Sequence, residues 1–190
     1  ISGNHYGLSA TWWDPDNDGW PDLYVANDFF GPDQLYLNRR DGTFVDISQQ
    51  ALPHTPWFSM GSDAGDVDGD LLQDFIASDM LGTTHERRHV TLTDLSDGRW
   101  FLEAAIPRQY MRNALFVNTG TPRFMEAAMA SGLARSDWTW STVFGDLDLD
   151  RRLDLFISNG MSRDYFNHDM RAEAEQTSDI MGEYWIHQDP

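Results

Sequence analysis

Nine residues, Asp14-Pro15-Asp16-Asn17-Asp18-Gly19-Trp20-Pro21-Asp22, set carboxylates at positions 1, 3, 5 and 9 and run directly into an apolar stretch, Leu23-Tyr24-Val25-Ala26. The spacing returns at Asp66, Asp68, Asp70 and Asp74 before Phe75-Ile76-Ala77-Ser78. It returns again at Asp146, Asp148, Asp150 and Asp154 before Leu155-Phe156-Ile157-Ser158. Like charges this dense repel one another, so an isolated copy would be a frustrated turn. Three copies, each leading into a strand-like run, instead make the chain an array of repeats. The first two loops start 52 residues apart and the second and third 80 apart.

A second match accounts for the unequal spacing. "DQLYLNRRDGTFVDIS" (33–48) aligns with "NALFVNTGTPRFMEAA" (113–128), pairing Leu35 with Leu115, Asn38 with Asn118 and Phe44 with Phe124. The unit is about 52 residues, and the second carries a 28-residue insertion within 79–112. Each unit reads as four short strands: one before the acidic loop (8–13, 58–65, 138–145), one after it, one of the 35–38 type and one of the 44–47 type. Short strands at this period predict an all-β fold, a partial β-propeller of four-stranded antiparallel blades. Residues 1–52 form the first blade and 53–133 the second. Residues 134–190 form part of a third that runs into a helical, alanine- and glutamate-rich insertion from 160 onward. Two blades and part of another do not close a ring. The chain starts at Ile1 with neither Met nor a basic-then-apolar leader, as expected of a mature or excised piece of something longer.

Oxygen-only ligands at alternating positions suit a hard cation, and calcium accepts the flexible shell of about seven oxygens that such a loop offers. The four aspartates of each loop would be joined by the main-chain carbonyl at position 7: Trp20, Leu72 and Arg152. Glycine at position 6 eases the left-handed turn around the ion. Gly19 occupies it in the first loop; the second has Leu71 there, with Gly69 two positions earlier, and the third Arg151, so the expected order of up to three sites puts the first ahead and the third last. An EF-hand is ruled out, because position 12, where it needs a bidentate Glu, holds Val25, Ala77 or Ile157.

Composition narrows the partners. A net charge of −18 opposes binding to nucleic acid or an anionic membrane and fits divalent cations or basic partners. Eight tryptophans and 13% aromatics separate the chain from a disordered acidic tail. With no cysteine there is neither a disulfide framework nor a thiolate metal site, and no apolar run has the length of a membrane span.

The stretches "DPDNDGWPDLYVAND", "NRRDGTFVDIS", "GDVDGDLLQDFIASDM", "RNALFVNTGTPRFMEAA" and "WSTVFGDLDLDRRLDLFISNG" resemble the FG-GAP/VCBS repeats of integrin-α-type β-propellers. They look closest to bacterial proteins that carry such repeats ahead of an ASPIC/UnbV segment, relatives of cartilage acidic protein. The resemblance implies a seven-bladed, calcium-binding propeller, usually exported, with a binding or adhesion role. The calcium ligands carry over onto the twelve matching aspartates. Leu71 and Arg151 depart from the pattern, and no ASPIC/UnbV segment is present.

One enzyme-like motif stands out. His85-Glu86-Arg87-Arg88-His89 fits H-E-x-x-H, two imidazoles one helical turn apart with a Glu as base. Its middle residues are two arginines, costly beside a dication, and it lies in the insertion, so a solvated segment docked by Arg–Asp pairs is the preferred reading. Glu103 is a conceivable third ligand. Trp12, Trp13, Trp138 and Trp140 flank loops and read as packing between blades in preference to a sugar platform. The reading is a non-catalytic, calcium-stabilised scaffold that binds a protein or glycan ligand outside the cell, in the periplasm or at the cell surface. The alternative is the propeller domain of a polysaccharide-acting hydrolase or lyase.

Overall fold

The computed structural model describes residues 5–29, 31–91 and 105–160. Strands β1 (Tyr6–Trp13), β2 (Asp22–Asp28), β3 (Gln34–Asn38) and β4 (Phe44–Asp46) form an antiparallel meander in chain order and end in a single helical turn, α1 (Ser48–Ala51). A two-residue strand, β5 (Thr55–Pro56), leads to the second sheet, of β6 (Ser62–Gly65) and β7 (Asp74–Ala77). Helix α2 (His85–Thr91) lies in the insertion, and β8 (Gln109–Tyr110) returns from it to pair in parallel with β5. The second sheet is completed by β9 (Ala114–Val117) and β10 (Met125–Glu126), followed by a helical turn, α3 (Ala128–Ser131). A third, two-stranded ladder joins β11 (Thr139–Gly145) to β12 (Asp154–Asn159). The helical stretch expected beyond residue 160 lies outside the described residues.

The predicted repeat is thus realised strand for strand in the first two sheets. One strand is shorter than expected. Residues 58–61 depart from the regular ladder that Ser62 opens: the buried Asp79 carboxylate takes the backbone N–H groups of Trp57 (2.7 Å) and Phe58 (3.0 Å), while Met60 and Gly61 bond only to Ser78, just past β7.

Side-chain alternation explains how the sheets stack. In β2, Tyr24 and Ala26 face the second sheet. In β7, Phe75 and Ala77 face the first while Ile76 faces the third. One core therefore lies between the first two sheets, where Trp13 packs on Phe75 at 5.1 Å and on Phe124 at 5.6 Å between ring centroids. A second lies between sheets two and three, around Ile76, Leu115, Ala128 and Ala134. All of β7 is buried, since both of its faces are covered.

The first strands of the three sheets are neighbours and run the same way. Thr11 Oγ1 lies 2.7 Å from Ser62 Oγ, and the Phe144 N–H donates to Asp63 Oδ2 at 2.7 Å. A Cβ on Gly61 would stand 2.8 Å from Ser141 Cα, so only glycine permits this approach of β6 to β11. Because each acidic loop joins the first strand of its sheet to the second, all three loops emerge at the same end. The segments after β2, β7 and β12 leave at the other.

Candidate metal centres

The three loops share one hydrogen-bond scheme. The position 5 N–H donates to position 1 Oδ1: Asp18 to Asp14 at 3.0 Å, Asp70 to Asp66 at 3.1 Å, Asp150 to Asp146 at 3.0 Å. The position 6 N–H of Gly19, Leu71 and Arg151 donates to the other oxygen of the same aspartate, at 2.8, 3.0 and 3.0 Å. Position 7, the N–H of Trp20, Leu72 and Arg152, donates to Oδ1 of the position 5 aspartate. Backbone donors thus fold the carboxylates inward. Oxygens of Asp14, Asp16 and Asp18 lie within 4.8 Å of one another, as do those of Asp66, Asp68 and Asp70, and those of Asp146, Asp148 and Asp154. Asp22, Asp74 and Asp150 stand outside these closest groups.

The scheme needs two left-handed residues per loop, at positions 4 and 6. In the first loop these are Asn17 (φ 54°) and Gly19 (φ 82°), in the second Gly69 (φ 81°) and Leu71 (φ 72°), in the third Leu149 (φ 65°) and Arg151 (φ 73°). Glycine at position 6 therefore does not decide whether a loop forms, since Leu71 and Arg151 take the same conformation. Loop one has an asparagine and a glycine at the strained positions, loop two one glycine, and loop three neither.

The ninth aspartate separates the loops further. Asp22 is 2% exposed and Asp74 fully buried. Each accepts the backbone N–H of an asparagine at the end of its sheet's third strand, Asn38 at 2.6 Å and Asn118 at 2.8 Å. Asp74 Oδ2 also accepts the position 2 N–H of Val67 at 2.9 Å, and Asp154 Oδ2 that of Leu147 at 2.9 Å. Loop one has Pro15 at position 2, which has no N–H, and Asp22 Oδ2 is left buried with no hydrogen-bond partner. Burial raises the Asp22 carboxyl to about 6, with Asp16, Asp18 and Asp14 pushing the same way. Burial also raises Asp16 and Asp74. Asp18 is lowered, because Arg40 donates to its Oδ2 through Nε at 2.9 Å and through Nη2.

An orphaned, buried carboxylate oxygen beside three converging carboxylates fits a divalent cation. Its charge would compensate what no donor compensates. At position 7, Trp20, Leu72 and Arg152 each turn the backbone N–H to the loop.

Sequence reasoning missed the asparagine clamp. Asn38 and Asn118 were matched only as repeat partners. Besides their N–H bonds, Asn38 Nδ2 donates to Pro21 O, and Asn118 Nδ2 donates to Pro15 O at 2.7 Å, tying the first acidic loop to the second sheet. Their 80-residue spacing next to the acidic repeat was the available signal. Also missed were two fully buried carboxylates at the opposite end, Asp33 and Asp79. Asp33 accepts from Tyr24 OH, the Asn27 N–H and Ser59 OH, and burial raises it to about 7. Asp79 is raised to about 6 by the same cause.

His85, Glu86 and His89 lie on α2, as the H-E-x-x-H pattern predicts, and His85 and Glu86 are exposed. The metal-compatible groups among the described residues are the three aspartate clusters. The helix is docked as expected of an Arg–Asp pair: Arg87 Nη1 lies 3.4 Å from Asp137 Oδ2, and the Thr83 N–H donates to Asp137 Oδ1 at 2.8 Å. Glu103 lies outside the described residues. Of the tryptophans, Trp13 is inter-sheet packing, whereas Trp12 is 58% exposed against Phe44 and Trp140 is 49% exposed.

No curated protein matches the chain. The FG-GAP-like repeat matches residues 14–77, from the start of the first acidic loop to the end of β7. The match therefore takes in the first two aspartate clusters and the whole of the first sheet after β1.

Proposed function

We propose that this FG-GAP-like repeat array is a calcium-stabilised β-propeller segment that serves as a non-catalytic binding scaffold outside the cell or in the periplasm. The observation that carries the reading is the unpartnered, buried Oδ2 of Asp22 beside the converging oxygens of Asp14, Asp16 and Asp18. Asp14, Asp16, Asp18 and Asp22 with the Trp20 carbonyl would hold the first ion. Asp66, Asp68, Asp70 and Asp74 with Leu72, and Asp146, Asp148, Asp150 and Asp154 with Arg152, would hold two more. A bound ion supplies positive charge to a turn of four carboxylates, so its binding free energy adds to fold stability. Three divalent ions would offset six of the 18 net negative charges. Extracellular calcium, at about millimolar levels, saturates even weak loops of this kind, which supports an exported location. The array has sheets whose first strands lie side by side and an FG-GAP-like match over residues 14–77. Both features support a propeller, and propellers of this repeat class support a ligand-binding role.

The test is a melting curve. The transition should fall on adding EDTA and recover with calcium in preference to magnesium, whose rigid octahedral shell suits the loop poorly. A transition indifferent to all three would remove the calcium reading.

A further inference from the structure

The turn that follows the third strand differs between the first two sheets at one residue. Asn38 Oδ1 accepts the N–H of Arg40 at 2.9 Å, and Asn118 Oδ1 that of Gly120 at 3.0 Å. Both residues are left-handed, at φ 64° and 66°. Glycine enters that region freely and a long side chain does not. The first sheet nevertheless carries an arginine there, and its side chain reaches the first acidic loop. The guanidinium donates to Asp18 Oδ2 through Nε at 2.9 Å and through Nη2. The other oxygen of Asp18 accepts the Trp20 N–H at 2.8 Å. A carboxylate oxygen offers two lone pairs, and the guanidinium takes both of those on Oδ2. The second loop has nothing comparable. Gly120 offers no side chain, and among the described residues no ion pair reaches Asp66, Asp68, Asp70 or Asp74. In the third, Arg152 Nε stands 3.7 Å from Asp150 Oδ2 on an 86% exposed side chain, a contact within the loop itself.

We infer that Arg40 is a tethered competitor of the first ion: its guanidinium holds Asp18 Oδ2 while the loop is without calcium and gives that oxygen up when calcium enters. The inference rests on the calcium reading of this loop and deepens it, by naming the residue that tunes the site. With both lone pairs of Oδ2 engaged, an ion reaches that oxygen only by displacing the N–H groups, and the guanidinium charge repels it at such range. Calcium binding to loop one therefore bears the loss of the Arg40–Asp18 pair. That pair is half exposed on the arginine side, so the cost amounts to a few-fold in affinity. The same pair neutralises one of four crowded carboxylates when calcium is scarce, which helps the loop stay folded without the ion. Linkage makes the effect reciprocal: calcium frees the Arg40 side chain by the same factor that Arg40 weakens calcium.

The test is a calcium titration of the isotope-labelled whole chain, followed by nuclear magnetic resonance at the backbone N–H of Gly19, which belongs to loop one alone. The N–H groups of Leu71 and Arg151 report the other two loops. Arg40→Gln should tighten the calcium Kd read at Gly19 about fivefold and leave the values at Leu71 and Arg151 as they were. Arg40→Lys keeps the charge without the paired donors and should fall between the two. In EDTA the Arg40 Nε–H should exchange slowly with water, and in calcium fast. Neither variant should unfold the chain, since the Arg40 side chain is 54% exposed and any residue supplies the N–H that Asn38 accepts. A Kd at Gly19 that is unchanged or weaker in Arg40→Gln would overturn the inference, as would an Nε–H that stays protected in calcium. The ion would then enter through Asp18 Oδ1 with the guanidinium still in place. A wild-type chain whose Gly19 signal ignores calcium removes the calcium reading and this inference with it. One that binds calcium no differently from the Arg40 variants removes this inference alone.

Discussion

The first and second acidic loops have the same backbone path and different chemistry at one atom. In both, N–H groups at positions 5, 6 and 7 fold the aspartates inward, and an asparagine from the third strand holds the ninth aspartate. In the second, Val67 N–H completes the bonding of Asp74. In the first, Pro15 supplies no donor and Asp22 Oδ2 is orphaned. A buried carboxylate oxygen without a donor is costly, whereas the same group accepting two N–H bonds is a stabilising part of the fold. The difference teaches that two loops identical in their aspartates can differ in what they need the ion for. The second is a hydrogen-bonded turn that an ion would reinforce, and the first is a turn that an ion completes.

The comparison makes its largest prediction at the second loop. Asp74→Ala strands two N–H groups, the part-buried one of Val67 and the buried one of Asn118, and should cost about 3 kcal/mol, in EDTA as well as in calcium. Asp22→Ala strands one N–H, that of Asn38, and removes an uncompensated charge, so in EDTA it should cost less than Asp74→Ala, and it should cost more in calcium than in EDTA. Equal losses for Asp74→Ala and Asp22→Ala in EDTA, read from chemical denaturation, would break the distinction between the loops.

The sheets offer a parallel contrast at their other end. Asn27 and Asp33 in the first sheet occupy the repeat positions of Asp79 and Asn113 in the second, so acid and amide have exchanged strands while keeping the bond. The Asn27 N–H donates to Asp33 Oδ1 and the Asp79 N–H to Asn113 Oδ1. Burial holds Asp33 at about 7, above the roughly 3.9 of an unfolded aspartate. The folded state therefore binds the proton more tightly across that interval. The stabilisation is complete below about pH 4 and is lost as pH rises through about 7. In EDTA, Asp33→Asn should remove about 2 kcal/mol of the fall in stability between pH 5 and pH 7. An unchanged slope would mean that Asp33 does not carry it.

These contrasts show what the sequence could and could not disclose. Acidic positions, strand order and the 52-residue period were legible because each depends on residue type at fixed spacing: an aspartate at 1, 3, 5 and 9, then four apolar residues. The outward Trp12 was not, because a tryptophan beside a loop reads alike whether a neighbour covers it or not. The clamps were half legible. Asn38 and Asn118 matched across repeats, but that their N–H groups meet Asp22 and Asp74 depends on β2–β3 and β7–β9 pairing, which are contacts between distant residues. The buried pair Asp33 and Asp79 hid because the repeats exchange the acid for an amide, and an alignment that looks for identity passes over that exchange. Glycine at position 6 is not required for the turn: Leu71 and Arg151 take the same left-handed conformation, held there by bonds to Asp66 and Asp146.

That turn sets the next effect in size. A non-glycine residue in the left-handed region carries a penalty of about 1 kcal/mol, and the third loop has two, Leu149 and Arg151. Leu149 is 83% exposed, so Leu149→Gly gives up little packing and should stabilise the loop by somewhat less than that penalty, the added freedom of the unfolded chain offsetting part of it. Asn17→Gly in the first loop should gain less, since asparagine tolerates the conformation. If the two substitutions raised the melting temperature equally, strain would not distinguish the loops.

The smallest effect is also the most direct test of the comparison. Pro15→Ala gives the first loop the position 2 N–H that the second and third possess, placed to donate to Asp22 Oδ2 as Val67 and Leu147 donate to Asp74 and Asp154. The new bond should add about 1 kcal/mol in EDTA, while the loss of proline's restriction of the unfolded chain takes back a comparable amount, so the melting temperature alone says little. The informative quantity is the difference between calcium and EDTA, in which the unfolded-chain term cancels. That difference should shrink, because the ion no longer completes an orphaned oxygen. Val67→Pro, its reciprocal, should widen the difference by orphaning Asp74 Oδ2. If both variants left the calcium-dependent increment unchanged, the partner of the ninth carboxylate would not be what sets a loop's dependence on the ion, and the aspartates at positions 1, 3 and 5 alone would account for it.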